Sequence, residues 1–296
     1  MWPEVELDFS ALDHMPTDKD LPCSDGVPLE TAWHRPAINL LVESIECHWA
    51  GRKDFFVGGD MFMYFSAERV FHKDFRGPDF YVVKGADHDK PRRSWVSWQE
   101  GGLLPAMIIE LGSESTRKID RVDKRKLYAE RMNVPEYFIY DPGDSSLIGW
   151  RKLNGTYDTP IELEAGNRLW SRELELYVGL WDGEYLCHHD RWLRFFDVHG
   201  NLIPTFGESE AAARRSAEAK ATAETAARTA AEAKATAATA ARADAEAKAA
   251  VEGIARQAAE AKAIAEASVR TAAETEIERL KRELDALRKQ HPPTTP

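Results

Sequence analysis

Three ionisable residues stand at positions where an apolar chain has reason to avoid them. Asp79 follows Pro78 at the head of the run Phe80-Tyr81-Val82-Val83. Glu110 ends the apolar run Met107-Ile108-Ile109. Lys124 lies in the charged segment that follows, before a second apolar run at Tyr137 to Tyr140. A carboxylate at the end of a buried strand costs free energy unless it is paired or put to use. Two carboxylates at neighbouring strand positions can hold a hard divalent cation, which takes oxygen ligands. The main-chain carbonyl beside the second acid, that of Leu111, commonly completes such a set. A nearby lysine can orient or polarise an attacking water and offset charge on a phosphate in its transition state. The spacing therefore suggests metal-assisted phosphoester chemistry, against the plainer reading of a structural Glu110–Lys124 ion pair.

The elements that would position these groups read as mixed α and β. Residues 36–49 place Ile38, Leu41, Val42, Ile45 and Trp49 on one helical face, with Pro36 suited to a first turn. "DFFVGGDMFMYFS" reads as strand, Gly-Gly break, strand. Residues 78–83, 94–98 and 106–111 read as short strands. A helix is expected over 119–132 with Ile119, Val122, Leu127, Ala129 and Met132 towards the core. Residues 136–141 and 147–153 read as a hairpin around "DPGDSS". Residues 160–195 contain further short segments of no evident order.

Four blocks narrow the reading: "GPDFYVV", "IIELGSEST", "DKRKLY" and "VPEYFIYDP". In order and spacing they resemble the Uma-two family of restriction endonucleases, within the PD-(D/E)XK nuclease superfamily. The matching positions are Pro78-Asp79, Glu110 with Ser113, Asp120, Lys124 with Tyr128, Val134-Pro135-Glu136-Tyr137 and Asp141-Pro142. His34 also fits the family's histidine ahead of the first helix. The resemblance spans about residues 30–185. It implies an α/β, restriction-endonuclease-like mixed sheet flanked by helices, and Mg²⁺- or Mn²⁺-dependent cleavage of nucleic acid, DNA first. Asp79, Glu110 and the Leu111 carbonyl would be the metal ligands, and Asp79, Glu110 and Lys124 the catalytic set. The wider superfamily carries its lysine two residues after the glutamate, where this chain has Gly112. Lys124 is the candidate replacement, because it shares a helical face with Tyr128 at i+4; Lys118 and Lys126 read as solvated. The alternative is a nuclease-like domain without turnover that serves as a binding or assembly module.

Other polar residues carry weaker readings. Asp60, after Gly58-Gly59, fits a turn better than an extra acid of the site. Glu43 and Glu46 fit a solvated helix face better than an added ligand. Cys187-His188-His189 has no partner motif for a metal, and Ser113 and Ser115 lack a glycine elbow and a base.

Composition divides the chain. All nine Trp fall between Trp2 and Trp192, and only Gly253 interrupts a Pro-free, Ala-rich stretch from Glu208 to Gln290. That stretch is strong helix composition. "AEAK" recurs there every 14 residues, two heptads, and Ile277, Leu280, Leu284 and Leu287 follow 3-4-3 spacing. A coiled coil that joins copies of the chain is expected, with Glu278–Arg282 and Asp285–Lys289 pairs along each helix. The organisation expected is an N-terminal extension at 1–24, a nuclease-like domain at 25–200 and a helical tail at 208–290. The tail has equal numbers of acids and bases, so residues 1–207 carry the whole net charge of −11. That argues mildly against general nucleic-acid affinity, although Arg117, Lys118, Arg121, Lys124, Arg125 and Lys126 cluster beside the candidate site. No apolar run is long enough to span a membrane, the acidic start lacks signal-peptide layout, and three scattered cysteines support neither disulfides nor a zinc site. A cytoplasmic protein is expected.

Overall fold

The computed structural model describes residues 15–23, 31–67, 75–113 and 116–290. The acidic start, Ser115 and the Pro-rich end at 291–296 lie outside them. In chain order the elements are α1 (His34–His48), β1 (Phe55–Gly58), β2 (Met63–Tyr64), β3 (Phe75–Arg76), β4 (Phe80–Lys84), β5 (Trp95–Val96), β6 (Met107–Leu111), a π-helical segment (Ile119–Lys124) that runs into α2 (Arg125–Glu130), β7 (Glu136–Asp141), β8 (Ser146–Arg151), β9 (Leu169–Ser171), β10 (Leu176–Tyr185), β11 (His188–Phe196) and α3 (Phe206–Gln290).

The central sheet has five strands in the order β1-β4-β6-β7-β8. Only β6 and β7 pair in parallel, and the segment between them supplies α2 on one face. Side chains alternate across a strand, so each strand feeds two cores. Phe80, Val82, Met107, Ile109, Phe138 and Tyr140 meet α1 through Ile38, Leu41 and Ile45. The same core takes Leu169, Val178 and Phe195 from the sheet β11-β10-β9. On the opposite face Tyr81, Val83, Ile108, Tyr137 and Ile139 meet Leu127, Tyr128, Ala129 and Met132. A small third sheet, β3-β2-β5, closes around Phe62, Tyr64 and Phe75.

Three sequence expectations change. Ile119 and Val122 are 39% and 54% exposed, while Asp120 is buried; the inner face of this helix is polar at its start and apolar only from Leu127. The region 160–195 is not a set of short segments, because β10 and β11 are strands of ten and nine residues. They join through Leu186 and Cys187, both at positive φ (49° and 63°), the backbone of a two-residue hairpin turn without its usual Asn-Gly. Glu208, grouped by composition with the tail, is tied to the preceding residues. Thr205 and Glu208 form a capping box, with Thr205 N–H donating to Glu208 Oε2 at 2.8 Å and Glu208 N–H to Thr205 Oγ1 at 3.2 Å. Glu208 also pairs at 2.7 Å with Arg194, whose side chain is fully buried.

The chain divides into two compact units, Met1–Arg214 and Arg215–Pro296. In the second, ion pairs Arg228–Glu232, Arg242–Glu246, Arg256–Glu260 and Arg270–Glu274 recur with the same spacing of 14 as the AEAK repeat. The Glu278–Arg282 pair forms at 3.1 Å; the Lys289 side chain lies outside the described ones. No helix among the described residues is long and apolar enough to cross a membrane.

Candidate metal and catalytic site

The antiparallel register of β4 and β6 pairs Phe80 with Ile109 and Tyr81 with Ile108. One step further sets Asp79 opposite Glu110. Alternation then puts both carboxylates on the α2 face, with Tyr81 and Ile108. Asp79 Oδ2 accepts the Leu111 N–H at 2.7 Å, so a carboxylate continues the ladder where the strand pairing stops. The approach depends on Gly59: a Cβ there would lie 2.4 Å from Ile38 Cγ2 and 3.2 Å from the Asp79 carbonyl oxygen.

Glu110 is 1% exposed. Its Oε1 accepts the Tyr128 hydroxyl at 2.6 Å, and its Oε2 lies 2.9 Å from Lys124 Nζ. The same ammonium is 2.8 Å from Asp120 Oδ1. These two contacts are ion pairs without hydrogen-bond alignment, because Glu110 Oε2 and Asp120 Oδ1 have no directed donor. Asp120, Lys124 and Tyr128 are spaced i, i+4, i+8 along the helical segment, which turns all three towards β6. The π-helical turn loosens the backbone ladder at its start, and the Asp120 carbonyl accepts the Tyr137 hydroxyl at 3.0 Å.

Burial raises the Glu110 carboxyl to about 8; Lys124 opposes this, and Asp79 and Asp120 add to it. Burial likewise raises Asp79 to about 6, against Lys124 and the Leu111 N–H. Burial alone would lower Lys124, but Glu110, Asp120 and Asp79 outweigh it and hold the ammonium above its ordinary range. His34 Nε2 lies 3.1 Å from the Leu111 carbonyl oxygen and Nδ1 2.9 Å from Thr31 Oγ1. A carbonyl only accepts, so Nε2 carries the proton.

Asp79 thus lies opposite Glu110 across the β4–β6 register and binds the Leu111 N–H, while Lys124 meets Glu110. Asp120, which matches the family pattern but was given no role there, joins them through Lys124. Its signal is the i,i+4 spacing to Lys124. The remaining candidates are engaged elsewhere. Glu43 accepts Tyr185 and Phe206 N–H, and Glu46 meets His88. Asp60 sits in a turn at φ 51° and pairs with Arg35. Cys187-His188-His189 forms the exposed tip of β10–β11, and Ser113 bonds Thr116. Of the basic cluster, Arg117 pairs with Asp141 at 2.6 Å, Arg121 donates to Ser146 and Arg125 covers the Trp150 ring, while Lys118 and Lys126 are exposed.

Among the described residues no group of three or more His, Cys, Asp or Glu is arranged to hold a metal ion. The donors at hand are two carboxylates and one main-chain carbonyl. They fit a hard divalent cation in type, all being oxygen. Glu110 Oε2, buried and without a directed donor, is the atom such an ion would satisfy.

No curated protein matches the chain. One solved structure, titled as a putative nuclease belonging to DUF820 from Anabaena variabilis, is similar over 50% of this chain and 76% of that one, at 14% identity and a TM-score of 0.37. The model of the Uma2 family, described as "Putative restriction endonuclease", matches residues 8–185. With more than half of its length covered by that match, the chain belongs to the Uma2 family of nucleases.

Proposed function

We propose that the domain spanning about residues 25–200 is a metal-dependent endonuclease acting in the cytoplasm. It would hydrolyse nucleic-acid phosphodiester bonds, those of DNA first, with Mg²⁺ or Mn²⁺ held by Asp79, Glu110 and the Leu111 carbonyl. The observation that carries this reading is the meeting of Glu110 Oε2 and Lys124 Nζ at 2.9 Å, with Asp79 across the strand register. When bound, a divalent cation supplies positive charge to a phosphate oxygen and acidifies water. The chain's own groups do the rest. Asp79 and Glu110 would hold the cation as carboxylates, each after losing its proton. Tyr128 fixes Glu110 through Oε1, so its second oxygen keeps one direction. Lys124, kept charged by Asp120, offers N–H donors to the attacking water or to a phosphate oxygen that gains charge. His34 holds the Leu111 carbonyl.

A non-catalytic binding module is the competing reading. It is favoured by the full engagement of Lys124 between two carboxylates and by the acidic balance of residues 1–207. Cleavage of single-stranded, double-stranded and branched substrates with Mg²⁺ or Mn²⁺ separates the two, wild type against Asp79→Asn. Metal-dependent cleavage lost in the variant supports catalysis. No cleavage by the wild type of any substrate favours the module. In either case α3 is read as the segment through which copies of the chain associate.

A further inference from the structure

We infer that two copies of the chain join through the end of α3 as a parallel, in-register, two-stranded coiled coil. This rests on reading α3 as a self-association segment and adds its orientation and stoichiometry. Ile277, Leu280, Leu284 and Leu287 are 51%, 51%, 51% and 60% exposed. They occupy heptad positions a, d, a and d, and a β-branched residue at a with Leu at d, as in Ile277 and Leu280, suits two strands. Upstream, Val251 and Ile254 stand in another heptad phase, so the large apolar residues of one seam are confined to the C-terminal end.

Charge fixes the direction. With Ile277 at a, Glu276 and Glu283 fall at g, and Lys281 falls at e; the sequence has Arg288 at the next e. A parallel pair sets each g against the e five residues later in its partner. Glu276 then faces the second copy's Lys281. An antiparallel pair would set g against g and e against e, glutamate on glutamate and cation on cation. Within one chain Glu276 and Glu283 both lean on Arg279, at 2.6 and 2.8 Å. Lys281 has no ion-pair partner among the described residues, which leaves it available to a second copy. A parallel arrangement also brings the N-terminal ends of both helices to the same end of the paired segment.

The full chain tests this by sedimentation equilibrium at tens of micromolar. The wild type should have about twice the mass of the 33.4 kDa monomer. Leu280→Asp with Leu287→Asp should weaken association by roughly tenfold or more, because it would bury unpaired charge at both d positions. Lys281→Glu should weaken it severalfold, and Glu276→Lys added to Lys281→Glu should restore it. Leu284→Cys under mild oxidation should give a disulfide between equivalent positions, above the wild-type background from the native cysteines. A monomeric wild type would overturn self-association itself. A dimer indifferent to Lys281→Glu, with no disulfide at position 284, would leave association standing and overturn the parallel register.

Discussion

Replacing Lys124 with methionine keeps the length of the side chain and removes the charge that two buried carboxylates share. At an effective dielectric of about 20, one unit pair at the observed separation is worth ~6 kcal/mol before desolvation. Two such contacts exist, at 2.9 Å to Glu110 and 2.8 Å to Asp120. Desolvation of the ammonium offsets several kcal/mol, and removal of one partner from a buried pair typically costs ~3–5 kcal/mol. That cost requires the carboxylates to stay ionised. Glu110 and Asp79 are already raised, to about 8 and about 6, and Lys124 lowers both. Its loss moves both further up. For an acid whose folded value is raised, stability is present below its unfolded value and is lost as pH rises through the folded one. The Lys124→Met variant should therefore lose less relative to wild type near pH 5.5 than near pH 9, where the loss should reach ~3–5 kcal/mol. Denaturant unfolding of both proteins in chelator, at these two pH values, measures the difference. An equal loss at both, or none at the higher, would refute the shared-ammonium account of the site.

Three further outcomes are expected. Asp79→Asn and Glu110→Gln should each lower the cleavage rate by ~10²–10³ or more with the near-ultraviolet circular dichroism unchanged; wild-type rates in both would place the activity elsewhere. Affinity for Mg²⁺ or Mn²⁺ should rise as pH passes from about 6 to about 8, because the raised Asp79 and Glu110 carboxyls must each be deprotonated to bind. Calorimetry in buffers of different ionisation enthalpy should then show proton release, and its absence would exclude these ligands. A chain ending at Gly207 should be less stable than one ending at Arg214, by a figure towards the low end of the ~3–5 kcal/mol for an orphaned buried charge, since Glu208 is 35% exposed and Arg194 not at all. Equal melting of the two would show that Arg194 finds another partner.

What the sequence disclosed and what it hid follow one physical line. Strands and helices that bury apolar faces announce themselves, and α1, β6 and the β7–β8 hairpin were legible from periodicity and turn residues. The pairing of Asp79 with Glu110 was not. Register joins residues far apart in the chain, and only the resemblance of the blocks tied those two acids together. The helix before β7 carries Ile119 and Val122 at core spacing, yet both face solvent. Its inner face carries Asp120 and Lys124, which are buried because they neutralise each other and Glu110. The β10–β11 hairpin was hidden for a different reason. Its turn uses Leu186 and Cys187 at positive φ, without glycine or asparagine to mark it.

The place of Asp120 bears on how the site is to be understood. A lone lysine aimed at a metal site needs no second acid to hold it. Here the ammonium lies between Glu110 and Asp120, at nearly equal distances, and neither contact is a directed hydrogen bond. A cation so placed is anchored without being locked by angle. Were a divalent cation held at Glu110, as proposed, it would repel the ammonium from the oxygen the two would share. A second carboxylate one helical turn earlier gives it somewhere else to be.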